Sequence, residues 1–402
     1  MRVLVNGLTA WGGRTGIGHY TAQLLRCLAD PPAGAAIDCF PSAWIRHARH
    51  AWVRLRPWFE RGDSRPPPSQ AGSNTPPGWR QQTLRSLRSL GQSVLTQNLR
   101  AYCRSTRYDL YHEPNFIPLP SDLPTVVTLH DLSVLLYPEW HPADRVADFE
   151  RRFRAGLKRC VHFLAISEFA RQEIIRTLHL RPEQVTRTYM GVRPGLGPLP
   201  PDTVQATLRR LNLPPRYLLY LGTIEPRKNV LALLRAYCAL PPAVRSRYPL
   251  LLVGGWGWNA ADVVAYLDGA KARGVIHLGY VPDVYMPALY NGARALVFPS
   301  FYEGFGLPPL EMLACGGAVI ASTAGAIAET VGRRAHLVDP RDLDGWRDAM
   351  RRVAEDDEWH RALRDGAEDV ARPFTWEACA ADTLRAYRAV HAGATAPVRK
   401  AG

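Results

Sequence analysis

The sequence predicts an α/β protein made of two Rossmann-like, doubly wound domains. Three stretches support this fold class, because each places an apolar strand before a glycine-containing turn and a helix. They run from Arg2 to Tyr20, from Tyr217 to Leu240 and from Ala295 to Gly317. Strand, glycine loop and helix form the opening of a doubly wound domain. A chain of 402 residues is long enough for two such domains.

The composition limits the classes of protein to which the chain can belong. A net charge of +14 and a pI near 9.7 predict a surface that attracts anions, among them nucleic acid, acidic lipid and nucleotide sugars. The seven cysteines lack metal-ligand spacing and are expected to be reduced, as in a cytoplasmic protein. No apolar run reaches about 18 residues, so we expect no transmembrane helix. The short apolar start predicts a buried strand rather than a signal peptide.

The third stretch carries two glutamates on a strand–turn–helix frame. We expect a strand over 295–298 and a helix that begins at Leu307, where two prolines suit the first turn, and stops near Gly316. The turn leaves backbone N–H groups at the positive end of the helix, where anions bind. Glu303 and Glu311 could accept hydrogen bonds from sugar hydroxyls. The spacing alone fits a ligand that is part phosphate and part sugar, or simply a tight connection with one capping glutamate.

This pattern resembles the E-x7-E signature of the retaining GT-B glycosyltransferases, and the whole stretch resembles family 4. Other segments resemble the same family in the same order: Thr128-Leu-His-Asp-Leu-Ser, Ala165-Ile-Ser-Glu-Phe-Ala, Gly222-Thr-Ile-Glu-Pro-Arg-Lys-Asn and Phe374-Thr-Trp-Glu. The segment from Gly222 is typical of the mannosyltransferase-B-like subgroup. The resemblance covers most of the chain except about residues 40–105, and it implies a GT-B fold with a cleft between the domains.

The resemblance also implies a division of labour along the chain. An acceptor domain is expected over 1–195 and a donor domain, which binds the nucleotide sugar, over 196–373. A helix over 374–392 is expected to pack back on the first domain, followed by a tail over 393–402. The proline-rich stretch 62–78 predicts a mobile loop.

Two adjacent cations, Arg227 and Lys228, follow the strand that opens the second domain. A departing diphosphate needs positive charge, and a site without a metal must supply it from side chains. The alternative is a solvated basic turn. The resemblance favours phosphate contacts, and it places Glu311 at the ribose hydroxyls. The further expected donor contacts are Gly16, Gly18, Thr223, Gly254, Tyr280, Val281, Glu303, Gly304, Phe305, Gly306 and Leu307. A plain glycine turn near Gly16 and a core position for Tyr280 remain alternatives.

A His-Asp pair follows the strand predicted over 125–129, at the end of the strand where open α/β sheets bind ligands. A histidine at a strand end is often structural, but the resemblance implies that His130 lies in the cleft near the sugar. The predicted catalytic residues are therefore His130, Glu303, Arg227 and Lys228. The acceptor side is expected to include Asp131, His112 and Glu113.

A basic amphipathic helix is predicted over 79–107, which contains several arginines and no acidic residue. Its apolar positions are expected to be Leu84, Leu87, Val94, Leu95 and Tyr102. The helix could lie on an anionic membrane, which would suit a lipid-linked acceptor, or it could be an ordinary domain helix with a solvated basic face.

Taken with the resemblance, these features imply a retaining hexosyltransferase that acts without a metal or cofactor. GDP-mannose is the favoured donor and a UDP-hexose the alternative; a saccharide, carried on a lipid, is the expected acceptor in surface polysaccharide assembly. The resemblance implies front-face attack, in which the donor phosphate takes the acceptor proton. The expected location is the cytoplasm, at the inner face of the membrane.

Three rival interpretations are open to simple tests. A GT-B phosphorylase would need a Schiff-base lysine, for which the sequence has no motif. A basic nucleic-acid or membrane-surface binding protein would suit the charge, although no aromatic-basic reader motif supports nucleic acid as a partner. A catalytically idle homologue would retain the fold alone. The one Asp-x-Asp, at Asp342 and Asp344, is expected to cap a helix rather than bind metal.

Overall fold

The computed structural model describes residues 1–11, 16–29, 34–41 and 93–395. The predicted mobile loop over 62–78 and the part of the predicted basic helix before residue 93 lie outside these ranges. Within the described residues the chain forms two six-stranded sheets. The predicted fold class, with two Rossmann-like parallel sheets, is confirmed.

The first sheet contains β1 (Arg2–Asn6), β2 (Ala36–Phe40), β3 (Leu110–Glu113), β4 (Thr125–Leu129), β5 (Cys160–Ala165) and β6 (Val185–Arg187). Its order is β2-β1-β3-β4-β5-β6, with parallel pairing throughout. The strands are apolar because both faces are covered: Val3 and Val5 join one buried cluster and Leu4 another. The direction of winding reverses between β1 and β3, which opens a crevice at their carboxyl ends.

The second sheet contains β7 (Tyr217–Leu221), β8 (Leu250–Val253), β9 (Val275–Gly279), β10 (Ala293–Phe298), β11 (Val319–Ser322) and β12 (Ala335–Val338). Its order is β12-β11-β10-β7-β8-β9, again parallel. Leu218 and Tyr220 pack on one face, and Tyr217 and Leu219 on the other. Here the winding reverses between β7 and β10.

Helices cover the two sheets. The helices begin at residues that suit a first turn. Ser167 caps one helix by accepting from the amide of Ala170, and prolines begin the helix at Pro201. The described helices span Gly16–Cys27, 93–105, Ser133–Leu136, Ala143–Leu157, Glu168–Leu178, Pro201–Arg210, Val230–Cys238, Pro242–Arg247, Ala261–Lys271, Met286–Gly292, Leu307–Ala314, Ile327–Val331, Leu343–Glu355, Asp357–Arg364, Ala367–Ala371 and Trp376–Thr395.

The last helix, Trp376–Thr395, returns to the first sheet. The ring of Trp376 lies 5.9 Å from that of Tyr20 in the first helix, and the amide of Val192 donates to the carbonyl of Phe374. A Cβ atom on Gly191 would lie 2.4 Å from the backbone nitrogen of Trp376, so only glycine fits at this crossing. The helix Trp376–Thr395 is thus fixed to the domain in which the chain begins.

The described part of the predicted basic helix, 93–105, packs on the first domain through Leu99, which is wholly buried. Leu99 belongs to a cluster with Phe40 and Tyr111. Val94 was expected on the apolar face, but it is 54% exposed. The prediction that Val94 lies on the apolar face is therefore wrong, because the sequence pattern does not show which residues pack against Leu99.

Candidate active site

The carboxyl ends of β7 and β10 adjoin at the point where the second sheet reverses its winding. A 3₁₀ turn, Pro226–Lys228, follows β7, and Glu303 lies in the loop after β10. The amide of Phe301 donates to the carbonyl of Arg227 at 2.7 Å and joins the two loops. Open α/β sheets bind ligands in such crevices. We take this crevice as the candidate active site.

Three charged side chains meet there. Lys228 Nζ lies 2.5 Å from Glu303 Oε1, and Arg227 Nη1 lies 3.1 Å from Glu303 Oε2. Arg227 also donates through Nε to Glu225 at 2.7 Å. Lys228 is 8% exposed and Glu303 is 6% exposed. The predicted basic turn is therefore a buried ion-pair cluster, not a solvated surface turn.

Electrostatics fix the charges of this cluster. Burial by itself would raise the pKa of Glu303, but the charges of Lys228 and Arg227 outweigh burial and hold that pKa below its ordinary value. Burial and the neighbouring Arg227 lower the pKa of Lys228, against the attraction of Glu303. Glu303 is therefore ionised, and it holds both cations at the mouth of the crevice.

The cations keep donors for a further anion. Arg227 uses Nε for Glu225, and Nη1 for Glu303 and the carbonyl of Tyr302, while Nη2 donates to no other described residue. Lys228 has three N–H donors, and one of them serves Glu303. The pair can thus bind phosphate oxygens while still contacting the carboxylate.

The turn after Glu303 contacts the first domain directly. A Cβ atom on Gly304 would lie 2.0 Å from the carbonyl oxygen of His130, so a side chain has no room there. The hydroxyl of Ser167 donates to the carbonyl of Gly304 at 2.7 Å. Gly306, at φ 92°, precedes the helix that begins at Leu307. Gly304 therefore allows the two domains to approach closely, and Gly306 allows the backbone to enter the helix.

Backbone amides at this helix start point to an anion. The amides of Phe305, Gly306 and Leu307 donate to no hydrogen-bond partner within the described chain. Pro308 and Pro309 occupy the next positions and have no N–H. The amides available to a ligand are therefore those before the prolines. The side chain of Phe305 is buried against Tyr189 and Phe374.

Glu311 lies one helical turn further on and has partners of its own. Its Oε2 accepts from the hydroxyl of Tyr290 at 2.7 Å, and Oε1 lies 3.3 Å from Nε of Arg193. Arg193 also pairs with Asp283 at 2.6 Å. The structure does not bring Glu311 into contact with the Glu303 cluster. A ribose contact at Glu311 would require Arg193 to release one oxygen.

His130 directly follows β4, at the opposite side of the crevice. Its Nε2 lies 2.9 Å from the carbonyl of Pro114, which only accepts, so Nε2 carries the proton. Burial lowers the pKa of His130, so the ring is neutral and Nδ1 is left as an acceptor. Asp131 accepts at Oδ1 from the amide and the hydroxyl of Ser133. His130 and Asp131 therefore both lie beside Gly304.

The expected acceptor contacts at His112 and Glu113 need correction. His112 is wholly buried: its Nε2 hydrogen-bonds with the hydroxyl of Thr128 at 2.8 Å, and its Nδ1 with the hydroxyl of Tyr387 at 2.6 Å. Burial lowers the pKa of His112 to about 3. Glu113 is 2% exposed and accepts from Asn6 at 2.6 Å and Tyr111 at 2.9 Å. Both side chains join strands and helix inside the first domain, so neither is open to an acceptor.

The remaining expected donor contacts lie in several different environments. Gly16 and Gly18 lie in the first turn of the helix Gly16–Cys27 rather than in a loop, and residues 12–15 are outside the described ranges. A Cβ atom on Gly254 would lie 2.0 Å from the carbonyl of Gly222, which brings the loops after β8 and β7 together. Thr223 is exposed in this region. Tyr280 is 60% exposed, so its alternative as a core residue is wrong. Val281 is half-buried against the second sheet.

Several contacts between the domains escaped the sequence analysis. The carboxylate of Glu329 accepts from the amides of Glu168 and Phe169, at 2.7 and 2.9 Å, and so caps a helix of the opposite domain. The hydroxyl of Tyr302 bonds the carboxylate of Glu173 and accepts from the amide of Leu132. Such pairs carry no local pattern, because each partner comes from a different domain.

Neither a metal cluster nor a membrane span occurs in the described part of the chain. Across residues 1–11, 16–29, 34–41 and 93–395, no three His, Cys, Asp or Glu side chains form a group that could hold a metal ion. No helix within those ranges is long and apolar enough to cross a bilayer.

The fold has counterparts among solved structures. Sucrose-phosphate synthase from Thermosynechococcus elongatus superposes with a TM-score of 0.69 at 22% identity, over 98% of this chain and 100% of that chain. This likeness identifies the GT-B fold. The protein therefore has the GT-B fold, with two Rossmann-like domains.

Sequence comparison assigns the family. A profile described as Glycosyltransferase Family 4 matches residues 14–196, and one described as Glycosyl transferases group 1 matches 208–370. The O-antigen chain mannosyltransferase B of Escherichia coli is 39% identical over 69% of this chain and 74% of its own length. The chain belongs to glycosyltransferase family 4 and is mannosyltransferase-B-like. A serotype-specific mannosyltransferase of Escherichia coli is 31% identical over 63% of this chain, which spans only 32% of that relative.

Proposed function

We propose that the protein transfers mannose from GDP-mannose to a saccharide acceptor, with retention at the anomeric carbon, in surface polysaccharide assembly. The buried cluster of Arg227, Lys228 and Glu303 between the two domains carries this proposal. The choice of mannose and of polysaccharide is supported by a relative named O-antigen chain mannosyltransferase B.

The leaving group is a nucleoside diphosphate. Arg227 and Lys228 neutralise the charge that develops on it, so the site uses neither metal nor cofactor. The unpaired amides of Phe305, Gly306 and Leu307 bind the phosphate or the hexose at the helix start. Preorganised donors in a buried site act strongly, because they need no rearrangement when the charge develops.

The transfer is a front-face displacement. The acceptor hydroxyl oxygen bonds to the anomeric carbon on the side from which the diphosphate departs, while the bond between that carbon and the phosphate oxygen breaks. The hydroxyl proton passes to the departing phosphate oxygen. Glu303, together with Nδ1 of His130, orients hexose hydroxyls. Asp131 lies on the acceptor side, and Glu311 binds the ribose once Arg193 has moved.

The donor test compares GDP-mannose with UDP-glucose, UDP-galactose and UDP-N-acetylglucosamine by thermal shift and by transfer to an octyl α-mannobioside. We expect stabilisation and transfer with GDP-mannose, activity in excess EDTA, and an α-anomeric product from the α-linked donor by NMR. Preference for a UDP-hexose would show that GDP-mannose is not the donor, and a product with inverted anomeric configuration would exclude retention. Absence of transfer from all four donors would favour an idle homologue.

A lipid-linked acceptor would bring the enzyme to the inner face of the membrane. The helix 93–105 exposes Arg100 and Arg104 on the first domain, and Val94 of the same helix is 54% exposed. We propose that this surface contacts anionic headgroups, each cation contributing about 1 kcal/mol at low salt. All seven cysteines carry free thiols, which suits the reducing cytoplasm.

Vesicle sedimentation tests this contact. Binding to vesicles of phosphatidylglycerol and phosphatidylcholine should weaken in the double variant Arg100→Glu, Arg104→Glu. The matched variant Arg209→Glu, Arg210→Glu, on an exposed helix end of the second domain, should bind like the wild type. Equal binding by both variants would exclude the helix as the contact.

A further inference from the structure

A buried histidine without hydrogen-bond partners lies beside the candidate active site. His141 is 6% exposed, and neither Nδ1 nor Nε2 has a partner among the described residues. Buried polar groups nearly always have a partner, because leaving one unsatisfied destabilises the folded state. His141 is therefore poised for a group that the chain itself does not supply.

Both domains build the surroundings of His141. Nε1 of Trp258, in the loop after β8, donates to the carbonyl of Trp140 at 2.7 Å. The rings of His141 and Trp258 lie 5.6 Å apart at 34°. The guanidinium of Arg145 lies 4.2 Å from the Trp258 ring. An indole from the second domain thus closes over an imidazole from the first.

The chemistry of this place favours a neutral polar ligand. Burial lowers the pKa of His141, and the positive charges of Arg145 and Arg227 lower it further, against Asp131. A neutral imidazole offers one donor and one acceptor, which matches a sugar hydroxyl. The indole of Trp258 contacts both the His141 ring and the guanidinium of Arg145, and the indole of Trp140 stacks on Tyr137 at 4.2 Å, so these rings hold the imidazole in place.

The position assigns the ligand to the acceptor side. Arg227, Lys228 and Glu303, the groups that would hold the donor, belong to loops of the second domain. His141 follows β4 in the first domain, and its pKa responds to both Asp131 and Arg227. A ligand at His141 would therefore border the reacting centre from the side opposite the donor.

We propose that His141 forms a subsite for one sugar ring of the acceptor, in which the imidazole hydrogen-bonds to ring hydroxyls while Trp140 and Trp258 hold the imidazole in place. The subsite rests on the proposed glycosyl transfer and adds a residue that recognises the acceptor. His141 is a specificity residue for that acceptor, and Trp258 brings the second domain to it.

Steady-state kinetics with GDP-mannose and an octyl α-mannobioside test the subsite. In His141→Ala we expect the acceptor KM to rise at least tenfold, with the donor KM within twofold of the wild type. His141→Gln, which keeps a donor and an acceptor, should recover part of the loss. Trp258→Phe, which keeps a ring but loses the bond to Trp140, should lie between. A rise in the donor KM alone, or no change in either KM, would overturn the proposal.

A matched variant controls for the loss of a buried histidine. His162 is also 6% exposed and bonds Thr186 within the first sheet. His162→Ala should lower thermal stability without changing the acceptor KM. Calorimetric titration with the mannobioside gives a readout that does not depend on turnover. If the wild type transfers nothing yet binds the mannobioside through His141, the proposed function fails and the subsite stands. Binding that is absent, or equal in His141→Ala, overturns the subsite.

Discussion

Glu303 and Lys228 are separated by 75 positions in the chain, yet Glu303 Oε1 lies 2.5 Å from Lys228 Nζ. The pair joins the loops after β7 and β10, where the second sheet reverses its winding. Both side chains are buried, and Arg227 contacts the other carboxylate oxygen. One loop therefore supplies the positive charge and the other positions it.

Removing the ammonium group should reduce the rate of transfer. Lys228→Met deletes a charge that stabilises the departing diphosphate, and we expect kcat/KM to fall by about 10²–10³, the loss typical of one preorganised electrostatic donor. The variant should also be less stable, because the buried carboxylate of Glu303 loses one of its two cationic partners and retains only Arg227. Release of GDP from GDP-mannose in the presence of the octyl α-mannobioside measures the effect.

The matched control for this prediction is Lys271→Met. Lys271 pairs with Asp268 on an exposed helix, with 57% of its side chain accessible. Such pairs contribute little, so both kcat/KM and thermal stability should stay near wild type. Equal activity in the two variants would contradict a role for Lys228 at the diphosphate.

Glu329 should support the closed arrangement of the domains. In Glu329→Ala the amides of Glu168 and Phe169 lose their carboxylate acceptor, which costs about 1 kcal/mol at a helix N-terminus. Because the acceptor belongs to the other domain, we expect a lower kcat and a larger radius of gyration by X-ray scattering.

A cap within one domain separates closure from stability. Asp342 accepts from the amide of Gly345 at the start of its own helix, at 2.8 Å. Asp342→Ala should lower the melting temperature by a similar amount and leave kcat and the radius of gyration unchanged. Matching changes in radius for the two variants would rule out a specific role for Glu329.

The turn between Glu303 and the helix should not tolerate a side chain at Gly304. A methyl group there would lie 2.0 Å from the carbonyl of His130, so Gly304→Ala must displace one domain from the other. We expect loss of most transfer activity while the GDP-mannose affinity of the second domain persists, as measured by calorimetry.

Gly269→Ala is the control for the added methyl group. No heavy atom lies within 4 Å of a Cβ placed there, and the residue lies inside the helix Ala261–Lys271. Alanine should keep full activity and add up to about 1 kcal/mol of stability. If Gly304→Ala behaved in the same way, the close approach at His130 would be unimportant.

Local chemistry was enough to predict the elements that position the site. Buried apolar runs predicted the strands next to the site, and Pro308 with Pro309 predicted the start of the helix that carries Glu311. The adjacent cations Arg227 and Lys228 were recognised because a diphosphate needs charge and the family resemblance placed them. These inferences use short stretches in which neighbours along the chain are also neighbours in space.

Partners distant in sequence could not be predicted in this way. His112 ends a strand, as a ligand-binding histidine would, but Tyr387 reaches its Nδ1 from a helix 275 residues later. Arg193 and Tyr290 hydrogen-bond to the carboxylate of Glu311, and no sequence pattern indicates these contacts. His141 was missed because an unpaired nitrogen is visible only once the packing around it is known.

Glu113 gives the first domain a pH-dependent stability. Burial raises the pKa of Glu113 to about 7 from an ordinary 4.5, despite hydrogen bonds from Asn6 and Tyr111. The folded state therefore binds more protons than the unfolded state between these values. The stabilisation is fully present below pH 4.5 and is lost as the pH rises through 7. The difference corresponds to about 3 kcal/mol.

Urea unfolding of wild type and Glu113→Gln between pH 5 and 8 measures this contribution. Glutamine cannot ionise, so we expect the unfolding free energy of the wild type to fall by about 2–3 kcal/mol relative to the variant over this range. His112, whose lowered pKa acts in the opposite direction, is present in both proteins and cancels. Glu183→Gln, at a side chain 65% exposed, should follow the wild type at every pH. A constant difference between wild type and Glu113→Gln would show that Glu113 ionises normally, because any misfit of the amide is the same at each pH.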